Sequence, residues 1–187
     1  MNIIKDIDKY IDEIITLDDK FYDQEYLWSN DYQRKVYERN KESFIAVIDN
    51  DKLIGYLNYL NIREDKYNEI KSSNIIIDEF ALDDIIPFTN NNNIVINSVV
   101  IDRNYQNTDV IKYITDGLLD KLKELENNGY RIKSLDLTAI SEDGAKFAKN
   151  LGLDLYKELE DGNKLFIKED NIISSIEESL NKLKTSK

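Results

Sequence analysis

The stretch VIDRNYQNTDVIKYI, Val100 to Ile114, has the composition of a strand end, a polar turn and a helix start. That arrangement holds phosphate when unpaired amides and the positive end of a helix dipole converge on an anion. The turn contains no glycine, although close approach of backbone to phosphate favours one. It also carries Asp109, whose charge at about 4 Å from a phosphate would cost roughly 4 kcal/mol at an effective dielectric of 20, less once screened. A first-turn carboxylate also complements the helix dipole, with Asn107 or Thr108 as cap. The loop is therefore expected to bind phosphate through main-chain amides, less tightly than a glycine-rich one.

Proton-transfer chemistry has few sources here. The 187 residues contain no cysteine and no histidine, which removes thiolate nucleophiles, disulfides, the common zinc sites, His-dependent dyads and the usual neutral-pH proton carrier. Carboxylates and phenols remain. Asp78, Glu79, Asp83 and Asp84 follow the apolar run Ile75 to Ile77, and burial would raise the pKa of Asp78 or Glu79. Asn97 and Ser98 lie nearby on a strand. Of the twelve tyrosines, Tyr32, Tyr56, Tyr59, Tyr105 and Tyr113 are the candidate phenols.

These groups must be placed by a fold, and the periodicities outline one. Apolar residues from Ile7 to Phe21 recur at helical spacing, and a second helix is expected over residues 25–40. Ser43 to Asp49 and Lys52 to Ile62 flank Asn50-Asp51 and read as an antiparallel hairpin. Residues 63–93 form an insertion with a helical piece near Lys66 to Ile70, Pro87 and four consecutive asparagines. Ile94 to Asp102 is a strand, Val110 to Leu125 a helix stopping near Gly129, and Gly117 within it implies close packing on the sheet. Next come a strand from Ile132, a helix over 142–150 capped by Ser141, two strands either side of Asp161-Gly162, and an amphipathic helix. The last must cover its apolar face with this domain or a second copy, which leaves a homodimer open. The expectation is one domain over residues 1–169, followed by the helix 170–187.

Charge and composition narrow the function. With 25 Lys+Arg against 37 Asp+Glu, the net charge of -12 disfavours nucleic acid and anionic membranes as partners and favours cations. No segment reaches membrane-spanning length, and the acidic N-terminal residues do not resemble a secretory signal, so a cytoplasmic location is expected.

The order of elements resembles the GNAT superfamily of acyl-CoA-dependent N-acetyltransferases over roughly residues 6–167. Ile101, Arg103, Tyr105 and Gln106 fall on the first part of the family's V-x-P-x-Y-R-x-x-G-x-G/A segment, while Asp109 and Ile111 replace its glycines. Phe147 to Leu153 looks like its F-Y-x-x-x-G-F segment, with Ala148 in place of a tyrosine that often acts as general acid. The resemblance implies an α/β (α+β) fold with a mixed, mostly antiparallel central sheet flanked by helices. It also implies acetyl-CoA as acyl donor, with no metal. Main-chain groups of Val99, Val100 and Ile101 would hold the acyl and pantetheine portion, and amides of Gln106, Asn107, Thr108, Asp109, Val110 and Ile111 the pyrophosphate. Ser141 falls where an asparagine often contacts the cofactor. Glu79, Asp78, Asn97 and Tyr32 are the catalytic candidates. The acceptor would be a primary amine, small and cationic or on a protein, attacking the thioester directly. The alternative is a noncatalytic acyl-CoA-binding or protein-interaction module.

Overall fold

The computed structural model describes residues 1–4, 7–77 and 80–185. Seven strands form one sheet in the order β1-β2-β3-β4-β5-β7-β6. They are β1 (Asn2–Ile4), β2 (Phe44–Asp49), β3 (Lys52–Ile62), β4 (Asn91–Ile101), β5 (Arg131–Ala139), β6 (Asp154–Glu158) and β7 (Lys164–Lys168). The helices are α1 (Ile11–Phe21), α2 (Asn30–Arg39), α3 (Glu64–Ser72), α4 (Val110–Asn127), α5 (Glu142–Asn150) and α6 (Ile172–Thr185). The sheet is mixed and mostly antiparallel, as expected, with β4 and β5 a parallel pair. Two compact units make up the chain, Met1–Tyr59 with Ser98–Leu118 and Leu60–Asn97 with Leu119–Lys187, and β3 and β4 run through both.

In the first unit the β2-β3 hairpin turns at Asn50 and Asp51, both left-handed at φ 49° and 59°. Asparagine and aspartate tolerate that conformation, and two such residues match the twist of a tight hairpin. β1 adds antiparallel to β2, a strand too short to show in the sequence pattern. Glycine provides two close approaches. A β-carbon on Gly117 of α4 would lie 2.7 Å from Ile45 Cγ2, and one on Gly55 of β3 would lie 2.9 Å from Val110 Cγ1 and 3.1 Å from Val100 O. Gly55 thus lets β3 press against the residue that begins α4.

In the second unit β4 starts at Asn91, three residues earlier than the sequence pattern implied. Asparagine is a poor strand former because its amide competes for backbone partners. Here those bonds are made inside the sheet. Asn92 donates to Thr89 O at 2.7 Å and Arg131 O at 2.9 Å and accepts from Asn61, while Asn93 donates to Glu64 at 3.0 Å and accepts from Ser134. The β4-β5 ladder runs from Asn91↔Arg131 to Val95↔Asp136. α3 comes from the insertion, tied back by Arg63 N to Asp84 O at 2.9 Å. α6 buries Ile172 and Ile176 within the chain, and Ser175 donates to Gly152 O at 3.1 Å. Ile173 and Leu180 of the same helix are half-buried.

Gly117→Ala should test the packing reading. Better helix propensity, worth about 1 kcal/mol, opposes a clash costing about 1–3 kcal/mol, so urea denaturation should show a net loss of about 1 kcal/mol. A gain in stability would mean that α4 has room to shift.

Candidate functional site

The site in the first unit is built around a carboxylate that the sequence pattern hides. Asp18 lies on the apolar stripe of α1, one turn after Ile14, and is 4% exposed. The carboxyl accepts from Tyr56 Oη of β3 at Oδ1 and, at 3.4 Å, from Tyr37 Oη of α2 at Oδ2. Tyr56 Oη also meets Ser98 Oγ of β4 at 3.0 Å, and Ser98 Oγ meets Tyr22 Oη, just past α1, at 2.9 Å. The main chain of Val99 lies close enough to the Tyr22 oxygen to lower its pKa slightly against the effect of burial.

Each hydroxyl has one proton to give, which sets the direction of the chain. Tyr56 spends its proton on Asp18, so Ser98 donates to Tyr56 and Tyr22 donates to Ser98. Donation therefore runs Tyr22, Ser98, Tyr56, Asp18. Burial raises the Asp18 pKa to about 7, opposed by the Tyr56 and Tyr37 hydrogen bonds. The same burial pushes Tyr22 up to about 12 and holds Tyr37 and Tyr56 higher still, each also repelled by the Asp18 charge. At neutral pH the phenols keep their protons and Asp18 is the one group in the chain poised to exchange.

β4 then leads from Val99, Val100 and Ile101 into a one-turn 3-10 helix, Arg103–Tyr105, and on to α4. Asp102 caps that turn by accepting from Asn104 N at 3.0 Å, which holds its carboxyl below the usual range with help from Lys52 at 3.2 Å. Gln106 to Asp109 are exposed and Val110 is buried under Gly55. The first i to i−4 bond of α4 is Tyr113 N to Asp109 O, so the amides of Val110, Ile111 and Lys112 precede it. One of the amides assigned to phosphate is committed elsewhere: Thr108 N donates to Tyr105 O at 3.1 Å, closing the turn. Lys112 stays fully charged beside Asp116, at 2.5 Å, with a smaller contribution from Asp109. The Lys112 ion pair is with Asp116, and Asp109 acts on it only at longer range.

Other expected residues fall in different places. Tyr32 lies in the first turn of α2 and packs edge-on against Trp28, ring centroids 5.0 Å apart. Tyr59 donates to Glu42 O at 3.0 Å, Tyr105 to Asp49 at 3.2 Å, and Tyr113 is 37% exposed. Asp78 and Glu79 lie outside the described residues. Asp84 caps the insertion's turn by accepting from Ala81 N at 2.8 Å. In the second unit Asn97 is half-buried on β4, Ser141 caps α5 by accepting from Gly144 N at 3.1 Å, and Ala148 is fully buried. Among the five candidate phenols, Tyr56 joins the Asp18 chain. Asp18, Tyr22 and Tyr37 escaped sequence reasoning, as did Asp136 of β5. A carboxylate at a core-facing helical position was the available signal for Asp18, whereas Asp136 alternates like a solvated strand residue.

The chain matches the model of the acetyltransferase (GNAT) family over residues 11–153. No curated protein sequence matches it. Among solved structures, it is similar to the loading GNATL domain of CurA from Lyngbya majuscula, with a TM-score of 0.69 at 11% identity over 90% of this chain and 96% of that one. The GphF GNAT-like decarboxylase in complex with isobutyryl-CoA gives a TM-score of 0.65 at 10% identity, covering 90% of this chain and 99% of that one. Arabidopsis thaliana Naa50, in complex with a bisubstrate analogue, gives 0.59 at 14% identity, with 89% and 97% covered.

The buried carboxyl sets a test of pH-dependent stability. Its pKa is about 7 in the fold against an ordinary 3.8, so the folded protein holds the extra proton. The stability this contributes is full below the ordinary pKa and is lost as pH rises through about 7. Asp18→Asn keeps an acceptor for Tyr56 and removes the titration. At about pH 8 the variant should be more stable than the parent by about 2–4 kcal/mol, with a flatter melting-temperature profile. An unchanged profile would mean that Asp18 is ionised in the fold at no cost.

Proposed function

Because the chain belongs to the acetyltransferase (GNAT) family, we propose that it moves an acetyl group from acetyl-CoA to a primary amine, with the Asp18 chain as the proton acceptor. The observation that carries this reading is the direction of that chain. It begins at Tyr22, beside Val99 of the strand expected to hold the acyl portion of the donor, and ends at a carboxylate poised near neutrality.

A primary amine is an ammonium ion near neutral pH and must lose a proton before it has a lone pair to attack a thioester. The Tyr22 oxygen is the entry point. A proton delivered there displaces the phenol proton onto Ser98, which passes its own to Tyr56, and Tyr56 passes its own to Asp18. Each hydroxyl ends with one proton, and the charge change falls on Asp18 alone. Attack then forms the C–N bond and breaks the C–S bond, and the nitrogen sheds its second proton, through solvent, to the departing thiolate. Amides of β4 and of the α4 start are the donors left for the acyl carbonyl and the phosphates. The residues present fit such a donor through the main chain, with the Thr108 amide excepted and with Lys112 as the adjacent cation. A primary amine, small or on a protein, remains the acceptor class.

The test has two parts. Calorimetric titration should give micromolar acetyl-CoA binding, and a panel of primary amines should then release CoA, with turnover rising with pH around about 7. Asp18→Asn and Tyr22→Phe should each lower kcat by about 100-fold while leaving acetyl-CoA affinity within a few-fold. Binding without turnover across the panel would favour the noncatalytic acyl-CoA-binding module. Full activity in both variants would remove the proton chain from the mechanism.

A further inference from the structure

Two phenols donate to Asp18, and only one of them belongs to the donation chain. Tyr56 donates to Oδ1 and has Ser98 behind it at 3.0 Å to replace the proton it gives up. Tyr37 donates to Oδ2 at 3.4 Å and has no supplier, because the single proton of its neighbour Tyr56 is already on Asp18. A proton passed on by Tyr37 would leave a buried phenolate that nothing refills. Burial and the Asp18 charge hold the Tyr37 phenol far above neutrality, which disfavours that state further. Tyr37 therefore keeps its proton at every step of the chain.

Packing fixes where that hydroxyl points. Tyr37 is 3% exposed and shares the buried face of α2 with Gln33 and Val36. Its ring stands edge-on to Phe44 of β2, centroids 4.7 Å apart, and Phe44 in turn lies 6.1 Å from the Tyr56 ring. One phenylalanine thus braces both phenols that reach the carboxyl. The titratable groups that act on Asp18 are Tyr56 of β3, Tyr37 of α2 and Asp19 of its own helix, and Tyr22 responds to its charge. Hydrogen bonds, and not a counter-ion, oppose burial at this carboxyl.

A protonated carboxyl has one hydroxyl oxygen and one carbonyl oxygen. A proton on Oδ2 would face the Tyr37 hydroxyl, which would have to turn its own O–H away and leave it without a partner in the interior. A proton on Oδ1 disturbs nothing. Tyr56 takes the Ser98 proton and accepts from the new Oδ1–H, while Tyr37 goes on donating to Oδ2. We propose that Tyr37 is a positioning residue for Asp18: by holding Oδ2 it confines the carboxyl's proton to Oδ1, the oxygen from which Tyr56 can carry it away again. Only O–H bonds form and break, and the same transfers in reverse leave Asp18 ionised. This deepens the acyltransfer reading, on which it rests only for taking that proton to come from the amine.

The test starts with the full chain and no acyl-CoA. Carboxyl-carbon NMR, with the Asp18 signal identified by its loss in Asp18→Asn, should show a titration midpoint of about 7 in the parent. Tyr37→Phe keeps the ring against Phe44 and removes only the hydroxyl. Its midpoint should lie about one pH unit higher, because a hydrogen bond to the charged form is gone. Infrared difference spectra between low and high pH should place the carbonyl stretch of protonated Asp18 at a higher frequency in Tyr37→Phe than in the parent, since Oδ2 no longer accepts a bond. Phe44→Leu keeps both hydroxyls but loosens the brace, and should move the midpoint the same way by less; it carries the test if Tyr37→Phe folds poorly. A role in packing alone would lower the melting temperature and leave midpoint and stretch at the parent's values, and that result overturns the proposal. Turnover of acetyl-CoA with a primary amine separates the two readings. The rise of kcat with pH should move up with the midpoint in Tyr37→Phe, with acetyl-CoA affinity within a few-fold of the parent. A displaced midpoint and stretch with no turnover in the parent would support the hold on Oδ2 and sink the acyltransfer reading alone.

Discussion

A carboxylate held away from water organises the first unit. Asp18 draws a hydroxyl from α2 and another from β3, and through Tyr56 and Ser98 it reaches β4. Four elements thus converge on one charge-bearing group. Burial of a carboxyl is costly unless its lone pairs are occupied, so the tyrosines are held to their positions as firmly as the carboxylate is.

That arrangement explains how a chain with neither histidine nor cysteine can still present a group that exchanges protons near neutrality. Burial moves an aspartate into the range that imidazole occupies without help. Glycine is treated in a similar way. The loop before α4 has none, yet close approach is retained from the other side, where Gly55 of β3 admits Val110 and the Val100 carbonyl. A requirement for space can be met by either surface of a contact.

The second unit uses polar groups differently. Asn92 and Asn93 sit in β4 because the strand supplies partners for every bond their side chains would otherwise seek from the backbone. Asp136, two residues on from the Asn93↔Ser134 pair, receives no such partner. The contrast within one sheet face is between amides whose bonds are all made and a buried carboxyl without a hydrogen-bond partner. α3 makes the contrast possible, since it covers a strand face that would otherwise be solvated.

Local pattern in the sequence was enough for the β2-β3 hairpin, the α5 cap at Ser141, the glycine stop of α4 and the alternation of helices and strands. In each, the deciding interactions lie within a few residues of one another, where spacing and turn chemistry operate. It was also enough for the packing role of Gly117, since a glycine inside a strong helix has few other reasons to be there. The β1 strand and the early start of β4 were not legible, because pairing partners some 40 residues away make them. The proton chain was not legible either. Asp18, Tyr22, Tyr37, Tyr56 and Ser98 come from five places in the chain, and only their burial together changes an ordinary aspartate into a near-neutral one. Composition determined which residue types would have to carry the chemistry; tertiary structure decided which of them did, because desolvation is a property of the assembled interior and not of any segment.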